Sequence, residues 1–320
     1  MTTFRIANVI HANEPLIVIE HAGELLSVKA LEQRFAVEWS PSQFTDCSFL
    51  FRHRVFSLGM AGLEELAEIL DDRDLDSDSV RDATVPKEAV IDKSKCLFLP
   101  PTVESPALAE FFVLAEDEVP RFRWGNARCL RGHDAPLPIP VDEPAPQLSV
   151  QVAAVVMEEL HHATVNEAAR RIAGITPLCL WSFPSRHRVS PGWGSFSLGQ
   201  IGPCLVCDFS SGSPSGNNLD PTRWCVTVRV NGRTVVRAPG RTWQTSFAEM
   251  VALASEAAAL APGDIIASGP LAGTSSDGVR DLCPGDRIEV TIQDLGTLSG
   301  TLVSCEHPSR FLHCSQFPTD

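Results

Sequence analysis

The sequence predicts an α+β fold, a mixed β roll preceded by a small N-terminal β-rich domain, and three observations carry that prediction. Short apolar runs recur between turn and charge clusters along most of the chain, the rhythm of strands rather than of long helices. The segments LAPGDIIASG and CPGDRIEVTIQDLG each place a Pro-Gly-Asp turn directly before a β-branched or apolar run, a turn feeding a strand. No glycine-rich phosphate loop follows a strand: Gly269 to Gly278 matches neither the Walker nor the dinucleotide spacing, so a doubly wound nucleotide-binding sheet is not expected.

Taken in order, residues 1–70 form the small N-terminal domain. Its strands are expected at Leu16–Ile19, Leu25–Val28, Phe35–Val37 and Phe49–Phe51, with a short helix over Gly62–Leu70. Residues 71–95, dense in Asp, Glu and Ser, read as an acidic linker. Residues 96–320 form the main domain, with strands separated by Pro and Gly. Helices are expected there at Ser105–Leu114, Asn166–Ala173 and Ser246–Leu260.

With 320 residues, 44% of them hydrophobic and 21% charged, the chain can bury one large core and a smaller domain. The net charge of −14, with dispersed basic residues, excludes the phosphate-neutralising stripe of a nucleic-acid binder. The opening MTTFRIANVIHANEPLIVIE interrupts its apolar stretch with Asn8, His11, Asn13 and Glu14. It predicts neither a signal peptide nor a membrane span, hence no membrane partner and a cytoplasmic location. The ten cysteines are then expected as reduced thiols. Tyrosine is absent, so acid–base chemistry falls to carboxylates, His, Cys, Lys, Arg, backbone or water.

The stretch from Val226 to Val303 closely resembles the C-terminal half of the fumarylacetoacetate hydrolase superfamily. Upstream segments extend the likeness to roughly Cys96–Cys305: LFLPPTVESPALAEFF, QLSVQVAAVV, EAARRIAGITPLCLWSFPSRHR and WGSFSLGQIGPCLV. Landmarks such as Gly174, Trp181, Gly202, Pro203, Asn231, Gly232, Pro262, Gly263 and Asp264 set the register. The resemblance implies a mixed β-sandwich roll and a homodimer, with a hetero-pair with an intact paralogue as the other arrangement. It also implies a Mg²⁺ or Mn²⁺ site that polarises a β-dicarbonyl or 2-keto acid, with a His–Glu dyad to activate water.

In that register the three metal carboxylates fall on Ser149, Gln151 and Leu180, the dyad on Ala115 and Asp117, and the catalytic Lys on Ser195 or Gly194. A hydroxyl, an amide and an aliphatic side chain do not replace three carboxylates around a hard dication. No metal and no other cofactor are therefore expected.

Candidate catalytic residues are Asp117, by its aligned position, and His187, an imidazole between Arg186 and Arg188; the plainer readings are a solvated acidic helix end and an exposed basic loop. Candidate substrate-binding residues are Ser149, Gln151, Trp181, Arg186, Trp193 and Ser195, with Arg186 as a carboxylate clamp. His161, His162, His133 and Asp134 are expected to be structural or exposed. Cys204 and Cys207 have redox spacing but lie in an expected strand. Cys305, His307, His313 and Cys314 carry soft ligand atoms without the spacing of a common zinc module.

The function expected is a metal-independent lyase, dehydratase, isomerase or cyclase acting on a small-molecule substrate, an enolisable keto or enol acid or polyketide-like intermediate. The alternative is a non-catalytic subunit or small-molecule binder, and an ordinary C–C bond hydrolase comes third. An open, polar pocket favours the enzyme, and one filled by Leu180, Phe183 and Phe196 favours the non-catalytic form.

Overall fold

The computed structural model describes residues 3–21, 23–35, 89–102, 107–113, 120–143, 145–187, 195–208, 224–239, 245–273 and 282–305. The strands are β1 (Thr3–His11), β2 (Glu14–His21), β3 (Glu24–Ser27), β4 (Val90–Ile91), β5 (Leu97–Phe98), β6 (Ala107–Val113) and β7 (Arg121–Asn126). They continue with β8 (Leu130–Arg131), β9 (Pro136–Pro140), β10 (Gln147–Val156), β11 (Ile172–Ser182), β12 (Leu198–Ile201) and β13 (Leu205–Asp208). The last six are β14 (Cys225–Val230), β15 (Arg233–Pro239), β16 (Ile265–Ala267), β17 (Ala272–Gly273), β18 (Arg287–Ile292) and β19 (Gly296–Cys305). The α-helices are α1 (Val28–Phe35), α2 (Val165–Arg170), α3 (Pro184–His187) and α4 (Phe247–Ala257). None of the described helices is long and apolar enough to cross a membrane.

Two sheets face each other, as the mixed β-sandwich expectation requires. The larger runs β4-β3-β2-β1-β13-β11-β10-β16-β6-β7, and the smaller runs β15-β14-β18-β19-β9. Strand alternation explains the core between them. Val150, Val152 and Ala154 of β10 point the same way as Cys179 and Trp181 of β11, and meet Val226 and Val228 of β14 and Ile288, Val290 and Ile292 of β18. Helix α4 closes this core with Met250, Val251 and Ala254. Its start is written in the sequence as a capping box: Ser246 Oγ accepts from the Glu249 amide, and the Glu249 carboxylate accepts from the Ser246 amide.

Five expectations need correction. Ala107–Val113 is strand β6, not part of a helix; it pairs parallel to β16 and antiparallel to β7. The good helix formers in ALAEFF are overruled by two-sided burial, with Leu108 facing one cluster and Ala109 and Phe111 the other. The helix expected at Asn166–Ala173 stops at Arg170, and Ile172 and Ala173 begin β11. Val28 starts α1 rather than ending a strand, and Phe35 ends that helix rather than starting one.

The last correction concerns the acidic linker. Its end is built into the sheet, since Val90–Ile91 pair with Leu25–Leu26 of β3. Lys93 in the following turn reaches Glu20 on β2 at 3.0 Å. The N-terminal strands are in turn hydrogen-bonded to the main domain through β1 and β13. The strand expected at Phe49–Phe51, the helix at Gly62–Leu70 and most of the linker lie outside the described residues.

Candidate active site

The face of the large sheet turned away from the sandwich core is set by the alternation of β10. Leu148, Val150 and Val152 enter the core, so Ser149, Gln151 and Ala153 take the other face. The antiparallel register with β11 pairs Ser149 with Leu180, Gln151 with Leu178 and Gln147 with Ser182. On the other side of β10, Ala153 pairs with Ala267 of β16, and Ala267 pairs with Glu110 of β6. Three positions from distant parts of the chain, Ser149, Leu180 and Glu110, therefore share one face.

A connected polar group crosses that face. Gln151, wholly buried, donates through Nε2 to Glu110 Oε1 at 2.7 Å and to Ser149 Oγ at 3.0 Å. The alanines at 153 and 267 leave room for the amide to reach across β16. The other carboxylate oxygen, Glu110 Oε2, accepts from Arg123 of β7 at 2.8 Å. The Arg123 guanidinium carbon lies 4.9 Å from the centre of the Phe196 ring. That ring rests over Gly125, where a β-carbon would come within 2.5 Å of it.

A second group stands one strand over. His187, at the end of α3, places Nε2 at 2.9 Å from Ser182 Oγ and 3.4 Å from Ser195 Oγ. Ser195 is buried and His187 half-buried. Ser182 lies on the same face of β11 as Leu180, so the two groups are separated by about one residue pair of the β10–β11 ladder, on the order of 7 Å. Leu180 and Phe196 sit in one apolar cluster with Ala153, Leu178 and Ile201, whereas Phe183 turns into the sandwich core.

The structure thus brings together Ser149, Gln151, Ser195 and His187 of the expected site. Trp181 does not join them: it lies opposite Leu148 in the β10–β11 ladder, shares its core face, and is buried there with no partner for its indole nitrogen. Nor is Arg186 a clamp held ready for substrate. It is buried, its Nη2 meets Asp142, and its Nη1 lies 3.3 Å from Glu143 Oε2 and 3.0 Å from Ser185 Oγ. Asp117 and Trp193 fall outside the described residues, as do His307, His313 and Cys314.

Glu110, Arg123 and Phe196 were missed as a group. Their signal was Glu110 itself, the single charge in the apolar run ALAEFFV, but on an expected helix it has no defined face. Among the described residues, no three His, Cys, Asp or Glu side chains gather as a metal-ligand set.

The remaining expectations are simpler. His161 and His162 are exposed, with their rings 4.1 Å apart. Asp134 holds a turn by accepting from Ser299 Oγ and Arg287, and burial pushes the neighbouring His133 imidazole below its usual value. Every described cysteine is free. Burial raises Cys204 to about 12, and Cys207 is likewise buried, so this pair lacks the exposed thiolate a redox motif needs.

Residues 109–303 match the family model for the fumarylacetoacetate (FAA) hydrolase C-terminal region, and the chain belongs to that family. An uncharacterized protein of Archaeoglobus fulgidus is 26% identical over 226 residues, 67% of this chain and 84% of that protein. One from Pyrococcus horikoshii is 35% identical over 112 residues, 34% of this chain and 41% of its own length. Among solved structures, the fumarylacetoacetate hydrolase of Exiguobacterium antarcticum aligns over 94% of this chain and 100% of its own, with a TM-score of 0.67 at 14% identity. Maleylpyruvate hydrolase from Sphingobium sp. SYK-6 aligns over the same shares, with 0.66 at 17%. A 2-hydroxyhepta-2,4-diene-1,7-dioate isomerase from Mycobacterium marinum aligns over 95% and 100%, with 0.64 at 14%. At these identities the likeness shows the fold.

Proposed function

We propose that the chain is a metal-independent enzyme that moves a proton on an enolisable keto or enol acid, an isomerase- or lyase-type reaction. The observation that carries this reading is the polar row on one sheet face, from Arg123 through Glu110, Gln151 and Ser149 toward His187. Burying a carboxylate and a wholly enclosed amide costs folding free energy that an apolar filling would not, which favours a chemical role for them. The described donors do not suit a hard dication: Ser149 offers a hydroxyl, Leu180 offers nothing, and the one carboxylate, Glu110, is engaged by a guanidinium. The ordinary metal-dependent C–C hydrolase is disfavoured on the same ground.

In this reading His187 Nε2 accepts a proton from the carbon beside the substrate carbonyl and returns it to another carbon of the conjugated system. The Ser182 and Ser195 hydroxyls, both in reach of Nε2, orient the imidazole, and as Nε2 takes the proton they turn their own protons to the developing enolate. The names of the structural neighbours, hydrolases and an isomerase of unsaturated keto or hydroxy acids, fit the substrate class.

The test is solvent-deuterium incorporation into pyruvate and 2-oxoglutarate, followed by proton NMR with EDTA or with Mg²⁺. Exchange above buffer, indifferent to EDTA and reduced at least about tenfold in His187→Asn, is the expected result. Exchange that requires Mg²⁺ would return the protein to the metal mechanism of its family. The absence of exchange under every condition would favour a second reading, a non-catalytic subunit or binder, which the packing of Leu180 against Phe196 supports.

A further inference from the structure

Ser182 is the last residue of β11, and α3 folds the chain back so that His187, five positions on, returns its Nε2 to 2.9 Å from Ser182 Oγ. The return is pinned from another segment. The enclosed Glu143 carboxylate accepts from the Ser185 amide at 3.2 Å and from Arg186 at 3.3 Å, immediately before His187. Ser182 and His187 are each half-buried, so the fold holds their contact without closing either residue off from water.

A neutral imidazole nitrogen has one lone pair, and two hydroxyls compete for that of Nε2. Ser182, at 2.9 Å, takes it ahead of Ser195, at 3.4 Å. A serine hydroxyl is a weak nucleophile until a base within hydrogen-bond reach accepts its proton, and Ser182 has that base. The Ser195 hydroxyl keeps its proton and borders the same nitrogen, so it is a donor for an oxyanion formed at Ser182. Gln147 stands opposite Ser182 in the β10–β11 ladder, on the same face, and adds an amide donor.

We propose that Ser182 is a nucleophile with His187 as its base, giving the protein a second activity, hydrolysis of short acyl esters or thioesters through an acyl-Ser182 intermediate. Ser182 Oγ bonds to the acyl carbon as its proton passes to His187 Nε2, and that proton leaves with the alcohol or thiol. Water then gives a proton to Nε2 and its oxygen to the acyl carbon, the bond to Oγ breaks, and the proton returns to Ser182. Ester and water become acid and alcohol. Among the described residues no carboxylate meets the other ring nitrogen, so the turnover is that of a dyad, slow beside a triad. The pair is shared with the proposed proton transfer, but acylation does not depend on that reaction.

The experiment treats the full chain with a fluorophosphonate, reads the intact mass, and locates the modified residue by tandem mass spectrometry; p-nitrophenyl acetate supplies the rate. A single adduct on Ser182 is expected in the native chain and none there in the chain unfolded in urea. Release of p-nitrophenolate falls at least about tenfold in Ser182→Ala and in His187→Asn. The modified residue is read on the wild-type chain, so the result stands even where a variant fails to fold. No adduct on the native chain, an adduct on Ser195 or elsewhere in place of Ser182, or equal labelling of native and unfolded chain overturns the proposal. So does a Ser182 adduct that forms at the wild-type rate in folded His187→Asn. Modification of Ser182 without deuterium exchange into the keto acids would sink the proposed proton transfer and leave the nucleophile standing; exchange with an unmodified Ser182 would do the reverse.

Discussion

Arg123 holds Glu110 with two nitrogens, Nε and Nη2 each 2.8 Å from the same carboxylate oxygen. The carboxylate is nearly enclosed while 41% of the arginine side chain is exposed, so the guanidinium brings water-screened charge to a group that water does not reach. Removing it strands the carboxylate. Arg123→Leu is expected to lower stability by about 1–3 kcal/mol, less than a fully buried pair because one partner is solvated. Glu110→Gln should cost less, since it removes the charge and keeps acceptor and donor atoms for Arg123 and Gln151. Urea midpoints of the two variants, compared with wild type, check the order.

Arg186 makes a contrasting case. Its side chain is 3% exposed, and Asp142 and Glu143, themselves enclosed, meet the guanidinium from the turn that follows β9. Arg186→Met is expected to cost about 3–5 kcal/mol, because two buried carboxylates lose the Arg186 guanidinium. Combining it with Glu143→Gln should recover part of the loss. A stability loss of that size in chemical denaturation would mark Arg186 as a structural anchor for α3, which carries His187. An Arg186→Met protein of wild-type stability with weakened ligand binding would restore the clamp that the sequence suggested.

The elements that were legible in the sequence are those in which local chemistry and burial agree. The turns at Pro262–Asp264 and Pro284–Asp286 feed β16 and β18 as their Pro-Gly-Asp signals imply, and the Ser246–Glu249 spacing marks the start of α4. QLSVQVAAVV could be placed as a strand, and its resemblance to the strand that bears the family's metal carboxylates is what singled out Ser149 and Gln151. Where propensity and burial disagree, the reading failed. ALAEFFV opens with the helix formers ALAE, yet it is held between two strands; once assigned to a helix, Glu110 could not be paired with Gln151, 41 positions away. Trp181 was misplaced by one step of the same logic, because Leu180 and Trp181 are neighbours in sequence but stand on opposite faces of β11.

The Glu20 carboxylate ties β2 both to β1 through Arg5, at 3.2 Å, and to the segment leading into the main domain through Lys93, at 3.0 Å. Burial alone would raise its pKa, but the two cations outweigh it and hold the group below the ordinary glutamate value of 4.5. The folded-state pKa is thus lower than the unfolded one, so the stabilisation is complete above 4.5 and is lost as pH falls through the folded value. Unfolding free energies measured between neutral pH and the acid limb should decline less steeply below 4.5 in Glu20→Gln than in wild type. Identical slopes would show that these pairs do not couple to folding.

The seat of Phe196 on β7 offers a test of how the site face is filled. A β-carbon at Gly125 would stand 2.5, 2.6 and 2.8 Å from three ring carbons of Phe196, too close to be accommodated without moving the ring. The ring in turn is confined with Leu180, Leu178 and Ala153, so displacing it disturbs the face around Ser149 and Gln151. Gly125→Ala is expected to cost about 1–3 kcal/mol as overpacking, against the small gain that alanine would otherwise bring to a strand. In the Phe196→Ala background the clash is gone, and the same substitution should cost less than about 0.5 kcal/mol, giving a large coupling term in a double-mutant cycle of urea unfolding. If Gly125→Ala costs the same with or without Phe196, the ring does not sit on β7 in solution. The apolar filling that supports a non-catalytic reading would then lose its main element, and Arg123 would lose the nearer of its two aromatic contacts.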